Sequence, residues 1–326
     1  MLHHLSQSKL VKLLLKLGLT LLAFWLVFQA IDLDHLIDIV RTQDQSFLVE
    51  ASFFLLIQIL LGAMRWHMIV RAISEAGSKL LSFAQALRLY YISVFFNCCL
   101  PGTVGGDVIR VWLAKAHQLS LSQSIHSVII DRVIALVALI VLVCATLPLL
   151  AGLMGFTVWP LWLAVAFLFL LGVWVLYNAH RLFMPLSGWA AVRWLLYFLD
   201  SLKLLLKKPA MSLSSLLYAL IAHVSYCLCC VMLAKSMHVE LSILDSITLL
   251  PPVLLITILP IAIGGWGLRE VGMIGMLALA DIPKAQAALL GIEIGLLNIV
   301  MTLPAGIMWL VSGKHNYTAH KAVQDE

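Results

Sequence analysis

Two stretches of the sequence combine a glycine pair and an arginine in the same spacing. LPGTVGGDVIR ends at Arg110, and LPIAIGGWGLR ends at Arg269. In each stretch the arginine stands nine positions after the proline. The guanidinium group is a planar fork of N–H donors that matches a phosphate or a carboxylate. The repeated pattern therefore predicts two arginines that bind an anionic group.

The residues before each arginine predict a break between two helices. Proline ends the entering helix because it has no N–H to donate, and glycine makes turns that other residues rarely adopt. A new helix then begins, and the free N–H groups at its start favour an anion. The predicted turn residues are Pro101, Gly105, Gly106, Pro260, Gly264 and Gly265.

Acidic residues accompany both arginines. Asp107 stands three positions before Arg110, which places the two on one face of a helix. Glu270 directly follows Arg269. Each motif therefore carries a carboxylate that could balance its arginine.

Three further charged residues stand in apolar segments. Asp131 and Arg132 lie near the start of the segment after the first motif, and Glu293 lies inside the last one. A charge at the bilayer centre costs about 2.5–3.5 kcal/mol on insertion scales, so such residues are functional candidates. Two interpretations stay open. The charges either tie the chain together as ion pairs, or they contact a substrate or a coupling ion directly.

The composition places these motifs in a membrane protein. Of the 326 residues, 63% are apolar and 11% are charged, and the mean hydropathy is +1.04. Soluble domains carry about 25% charged residues, so lipid must be part of the solvent of this chain. In a membrane protein the net charge of +5 says less than the positions of the charges. We expect no nucleic-acid partner.

The lengths of the apolar runs predict the architecture. Crossing a hydrocarbon core takes about 20 residues of helix. Six runs qualify, at about 11–31, 47–64, 125–147, 157–177, 213–234 and 285–310. Two others, at 82–100 and 243–260, end in the motifs and are followed by short helical stretches at 107–118 and 270–281. We predict an all-α polytopic membrane protein with about six full spans and two re-entrant hairpins.

The basic residues predict the orientation. If the N-terminus is cytoplasmic and each motif segment returns on its own side, sixteen of the 21 Lys and Arg residues are cytoplasmic and three are outside. Arg132 and Arg269 then remain at membrane depth. Cytoplasmic loops carry an excess of Lys and Arg. We expect a multi-pass protein of the cell inner membrane with both termini in the cytoplasm.

The order of segments repeats within a single membrane domain, residues 1–326. Two spans, a re-entrant hairpin and a further span occur in 11–147 and again in 157–310, and the two units start on opposite sides. Inverted repeats with broken helices are typical of secondary transporters. Residues 180–208 predict a basic amphipathic helix at the interface. Whether it binds anionic lipid or is an ordinary linker stays open.

Signals for other chemistry are weak. GTVGGD lacks the Lys-Ser/Thr pair of a P-loop. His223 and Ser225 have no acidic partner for nucleophilic catalysis, and the histidines lack metal-ligand spacing. We expect no enzymatic activity, no cofactor and no metal.

Five stretches together are similar to a known membrane family. They are RW at 65–66, FFN at 95–97, LPGTVGGDVIR at 100–110, DR at 131–132 and GGWGLRE at 264–270. From about residue 10 to 312, the sequence resembles the membrane flippase-like domain of lysylphosphatidylglycerol synthases, which also occurs as stand-alone proteins. The resemblance implies handling of a lipid with a charged or glycosylated headgroup. The functional positions that it implies are Arg65, Asn97, Asp107, Arg110, Asp131, Arg132, Arg269 and Glu270.

Two functional hypotheses follow. In the first, the protein is a flippase that moves an anionic or polyprenyl-phosphate-linked membrane lipid between leaflets, with Arg110 and Arg269 holding the phosphate in turn. Glu293 joins the substrate-binding set as a residue that balances charge or carries a proton. In the second, a non-catalytic subunit presents a lipid to a separate synthase or glycosyltransferase. The second hypothesis follows from the aminoacyltransferase domain of bifunctional members, which the chain ending at Glu326 is expected to lack.

Overall fold

The structure, a computed structural model, describes residues 41–74, 81–99, 105–117, 119–186, 188–258 and 265–322. All the regular elements in these residues are helices. The α-helices are α1 (Ser46–Ile73), α2 (Phe83–Cys99), α3 (Gly105–Ala116), α4 (Leu121–Met154), α5 (Trp159–Phe183), α6 (Ala190–Leu206), α7 (Pro209–Ser236), α8 (Ile243–Thr257), α9 (Leu268–Leu277) and α10 (Lys284–Ala322). Short 3-10 turns follow α5 and α9. The predicted all-α fold is confirmed.

Five of these helices are long and apolar enough to cross a membrane. They are α1, α4, α5, α7 and the part of α10 from Lys284 to Val311. They overlap five of the six predicted spans. The remaining predicted span, at 11–31, lies outside the described residues. The helices make the chain a polytopic membrane protein.

Shorter helices flank the two motifs. α2 ends at Cys99 and α3 begins at Gly105, while α8 ends at Thr257 and α9 begins at Leu268. At 1.5 Å per residue, the 12 residues of α3 and the 10 of α9 extend about 18 and 15 Å, too short to cross a membrane. The predicted turn residues Pro101, Pro260 and Gly264 lie outside the described residues.

The helix contacts recur in a matched pattern along the chain. α3 packs between α2 and α4, as α9 packs between α8 and α10. α1 packs along α7 in the most extensive helix pair. Each helix that leads into a motif also packs on the last long helix of the other half, α2 on α10 and α8 on α4. The two motifs are therefore held by helices from both halves of the chain.

The largest apolar core lies between α1, α7, α8, α9 and α10. Small side chains make up much of the α7 surface in this core, including Cys227, Cys229, Cys230 and Ala234. Small residues let membrane helices approach closely, because packing drives their association. The three cysteines are free thiols and act here as packing residues.

α6 lies within the segment 180–208, where the sequence predicts an interfacial helix. Leu196 and Leu205 on this helix are buried. The rings of Trp194 and Phe198 stack with centroids 6.1 Å apart, and both meet the ring of His126 on α4 edge-on. These contacts hold α6 against the bundle by its apolar face.

Candidate functional site

The first motif brings the start of α3 against the end of α2. The side-chain carbonyl of Asn97 accepts a hydrogen bond from the backbone N–H of Gly106 at 2.9 Å. A side chain at Gly106 would collide with the backbone oxygen of Ser93. Glycine is therefore required for this approach, and Asn97 satisfies one of the free N–H groups at the helix start.

Four charged side chains from three helices form a buried chain beyond this turn. Nε of Arg65 on α1 donates to Oδ1 of Asp131 on α4 at 2.7 Å. Nη1 of Arg110 on α3 donates to the other oxygen of Asp131 at 2.9 Å. Nη2 of Arg110 donates to Oδ1 of Asp107 at 3.0 Å. All four residues are at most 7% exposed, so the alternation of charges offsets the cost of their burial.

Arg132 extends this chain toward an open surface. Its Nε donates to Oδ2 of Asp107 at 2.7 Å, but its side chain is 51% exposed. In the described part of the chain, its two terminal nitrogens have no hydrogen-bond partner. Three arginines and two aspartates carry a formal charge of +1. We call these five residues the arginine–aspartate network; its excess charge ends at Arg132.

Two aromatic rings hold the Arg110 guanidinium group. Its central carbon lies 5.2 Å from the centre of the Trp66 ring and 5.2 Å from the centre of the Tyr90 ring. Trp66 is itself fixed by a hydrogen bond from its Nε1 to the hydroxyl of Ser127 at 3.2 Å. A cation over an aromatic face is stabilised electrostatically. Arg110 is thus positioned by two carboxylates and two rings.

The second motif contains a smaller pair. Nε and Nη2 of Arg269 donate to Oε1 of Glu270 at 3.1 and 2.8 Å. The other carboxylate oxygen accepts the backbone N–H of Gly267 at 2.5 Å. The guanidinium carbon lies 4.6 Å from the centre of the Trp266 ring. Glu270 is fully buried, so this pair is neutral where the first network is positive.

Glycines make room for the second motif. Gly265 and Gly267 have φ angles of 79° and 83°, which residues with a side chain rarely adopt. Gly295 on α10 lies directly against the Arg269 guanidinium and the Trp266 ring, so a Cβ there would collide with both. α10 therefore closes tightly over the second motif.

Glu293 lies on α10 but has a different partner. Its Oε1 accepts a hydrogen bond from the side-chain amide of Gln43, just before α1. Its Oε2 is buried and has no hydrogen-bond partner. Among the described contacts, nothing joins Glu293 to either motif arginine.

The structure groups the predicted site residues into three places. The arginine–aspartate network gathers Arg65, Asp107, Arg110, Asp131 and Arg132, with Asn97 at the neighbouring turn. Arg269 and Glu270 form the second place, and Glu293 the third. Contact of these residues with a substrate stays a prediction.

Sequence reasoning missed three residues that shape these places. Trp66 follows Arg65 directly, so the RW stretch carried a signal for it. Tyr90 and Gln43 stand in stretches without a distinctive pattern. Their roles depend on which helices pack together, which a single sequence does not show.

The comparison with known families now has a geometric setting. The model of the family described as "Lysylphosphatidylglycerol synthase TM region" matches residues 13–306. The chain belongs to this family. The match includes both motifs and all the residues of the arginine–aspartate network, and it confirms the resemblance found in the sequence. No curated protein matches the chain. Family membership and the five long apolar helices agree on a multi-pass membrane protein.

Proposed function

We propose that the protein moves a lipid with an anionic, phosphate-bearing headgroup from one membrane leaflet to the other. The observation that carries the proposal is the excess positive charge of the arginine–aspartate network, which ends at the half-exposed Arg132. A phosphate at Arg132 would supply the missing negative charge. Membership in a family of lipid-synthase membrane regions supports a lipid-related role.

Arg132 is the residue that we assign to the headgroup. Its Nε is occupied by Asp107, and its terminal nitrogens remain to donate to a phosphate oxygen pair. Such charge-assisted, two-pronged contacts are short and strong. A zwitterionic lipid also brings a phosphate, but its amine offsets the charge that the network attracts.

The buried members of the network keep Arg132 and Asp107 in place. Arg110 was predicted to hold the phosphate, yet it is 1% exposed and already donates to two carboxylates. We therefore assign it a positioning role in the state that the structure represents. Asp131 holds Arg110 and Arg65 together and so links α1, α3 and α4.

The second motif is the place to which we assign the headgroup after it leaves the first. Arg269 has one carboxylate partner, and the pair is neutral, so a phosphate there must compete with Glu270. Release from such a site is easier than from a site with excess positive charge. The matched helix contacts of the two halves support a mechanism in which two inverted halves rock against each other.

Purified protein in liposomes tests this function. We expect it to make fluorescent phosphatidylglycerol or a fluorescent polyprenyl phosphate in the inner leaflet accessible to dithionite added outside. Arg132→Ala should slow this movement about tenfold or more, because a hydrogen bond to a charged group contributes about 1.5–3 kcal/mol. Arg181→Ala on α5 is the matched control, since this arginine is exposed and outside the network.

The outcomes separate the two hypotheses. No movement of any anionic or polyprenyl phosphate lipid by the folded protein would overturn the transport proposal. Retained, Arg132-dependent binding of the lipid without movement would favour the subunit that presents lipid to a separate enzyme.

A further inference from the structure

Glu293 differs from the other acidic side chains that the structure places inside the bundle. Asp107, Asp131 and Glu270 each contact an arginine nitrogen within 3.0 Å. In the described residues, Glu293 contacts only the neutral amide of Gln43, and its second oxygen is buried without a partner. A carboxylate in this setting lacks the compensating charge that the other three have.

The position of Glu293 along α10 is deep. It stands nine residues after Lys284, the first residue of the helix, which is about 13 Å of helix length. If the helix starts at the membrane boundary, Glu293 lies near the middle of a core about 30 Å thick. An isolated carboxylate is costly at this depth, whereas the neutral acid is not.

Helix geometry keeps Glu293 away from the second motif. Gly291 and Gly295 form the face of α10 that packs on Glu270 and Arg269. Glu293 lies two residues from each, and successive residues turn by about 100°, so its side chain leaves the opposite face of the helix. Arg269 therefore cannot serve as its counter-ion without a large rotation of α10.

The partner of Glu293 is held in place by the neighbouring helix end. The backbone carbonyl of Thr42 accepts a hydrogen bond from Nε2 of His238 at 3.1 Å. The N–H of Asp44 donates to the carbonyl of Ser236 at 3.0 Å. These contacts fix the backbone on both sides of Gln43 to the end of α7. The amide of Gln43 is therefore a built part of the Glu293 environment.

Other titratable groups near α10 have partners or positions of their own. Those on the surrounding elements are Arg41, Asp44, Tyr91, Cys98, Tyr226, Arg269 and Glu270. Tyr91 donates to the backbone of Met301. The hydroxyl and N–H of Ser46 hold the pKa of the Asp44 carboxyl below its ordinary value, so Asp44 stays ionised at neutral pH.

We propose that Glu293 is a proton-binding site within the membrane, through which lipid movement is coupled to a proton gradient. The carboxylate takes up a proton from one side to become the neutral acid, and it releases that proton to the other side in the alternate arrangement of the helices. No other group is oxidised, reduced or transferred. This inference rests on the proposed lipid movement, whose failure is separately visible in the test below.

The test measures the steady-state distribution of lipid between the leaflets. Liposomes containing the protein receive fluorescent phosphatidylglycerol and a pH difference of about one unit, with valinomycin and equal potassium holding the membrane potential at zero. One proton per lipid corresponds to about a tenfold lipid asymmetry for each pH unit. Glu293→Gln should move lipid to a ratio near one. Glu50→Gln, at an exposed glutamate on α1, should behave like the natural chain.

Each outcome is decisive. A wild-type ratio near one, with lipid still moving, overturns proton coupling and leaves the transport proposal standing. No movement at all overturns both. A tenfold wild-type ratio that survives Glu293→Gln overturns the assignment to Glu293. If that variant fails to fold, infrared spectra of the natural chain decide: a protonated carboxyl band that titrates with the imposed pH supports the site, and its absence overturns it.

Discussion

Asp131 on α4 joins Arg110 on α3 to Arg65 on α1. Its two carboxylate oxygens lie 2.9 Å from Nη1 of Arg110 and 2.7 Å from Nε of Arg65. Asp131 and Arg110 are 21 positions apart in sequence, and Asp131 and Arg65 are 66 positions apart. One buried carboxylate thereby ties the first motif to the helices on either side of it.

Replacing this carboxylate should destabilise the protein strongly. Asp131→Asn leaves two buried arginines without their shared counter-ion, and breaking a buried pair costs about 3–5 kcal/mol. Thermal unfolding in detergent should show a lower midpoint. Asp200→Asn is the control, because Asp200 pairs with His180 at the exposed surface, where ion pairs contribute little. Equal midpoints for the two variants would contradict the structural role of Asp131.

The tight approach of α10 to the second motif predicts a steric effect. Gly295→Ala places a Cβ against the Arg269 guanidinium and the Trp266 ring, and overpacking of this kind costs about 1–3 kcal/mol. Gly172→Ala on α5 meets open space and should leave the unfolding midpoint unchanged or slightly higher. Denaturation of both variants side by side checks the difference, and an unaffected Gly295→Ala would refute the close contact.

The turn at the first motif depends on the Asn97 carbonyl. Asn97→Ala removes the acceptor for the Gly106 N–H and should cost about 1 kcal/mol, the usual size of a lost N-terminal cap. Asn97→Asp keeps an acceptor oxygen and should retain most of the stability. Asn178→Ala serves as the control, because this exposed asparagine donates only to a backbone carbonyl of its own helix. A loss of stability in Asn97→Asp equal to that in Asn97→Ala would argue against the cap.

The inverted arrangement predicts the sides of two loops. Reporter tags inserted after residues 118 and 282 should lie on opposite sides of the membrane, the first in the cytoplasm. Labelling with a membrane-impermeant thiol reagent, at single cysteines introduced there in a chain whose own cysteines are replaced, measures this directly. Labelling of both sites from the same side would rule out the inverted arrangement.

Much of the fold was readable from local patterns. The apolar runs predicted five described spans because hydropathy and length are the main requirements for crossing a bilayer. The proline and glycine positions predicted that α2 and α8 stop before the motifs, since backbone conformation is a local property. The i,i+3 spacing of Asp107 and Arg110 likewise predicted the pair that the structure shows.

The long-range partners were not readable in this way. Arg65 and Asp131 were each singled out, but nothing local indicated that they share an ion pair. Tyr90 against Arg110 and Gln43 beside Glu293 depend on helix packing across the bundle. For the same reason the sequence treated the two motif arginines as equivalent, whereas packing gives Arg110 two carboxylates and Arg269 one.

Headgroup preference tests the central claim most directly. The measurement is the ratio of the rates at which the protein moves phosphatidylglycerol and phosphatidylcholine, probes that differ in net headgroup charge, in the same liposomes. We predict a ratio of about ten or more for the natural chain, falling toward one in Arg132→Ala, because the network attracts net negative charge. A ratio near one in the natural chain, or a high ratio that survives Arg132→Ala, would contradict the account.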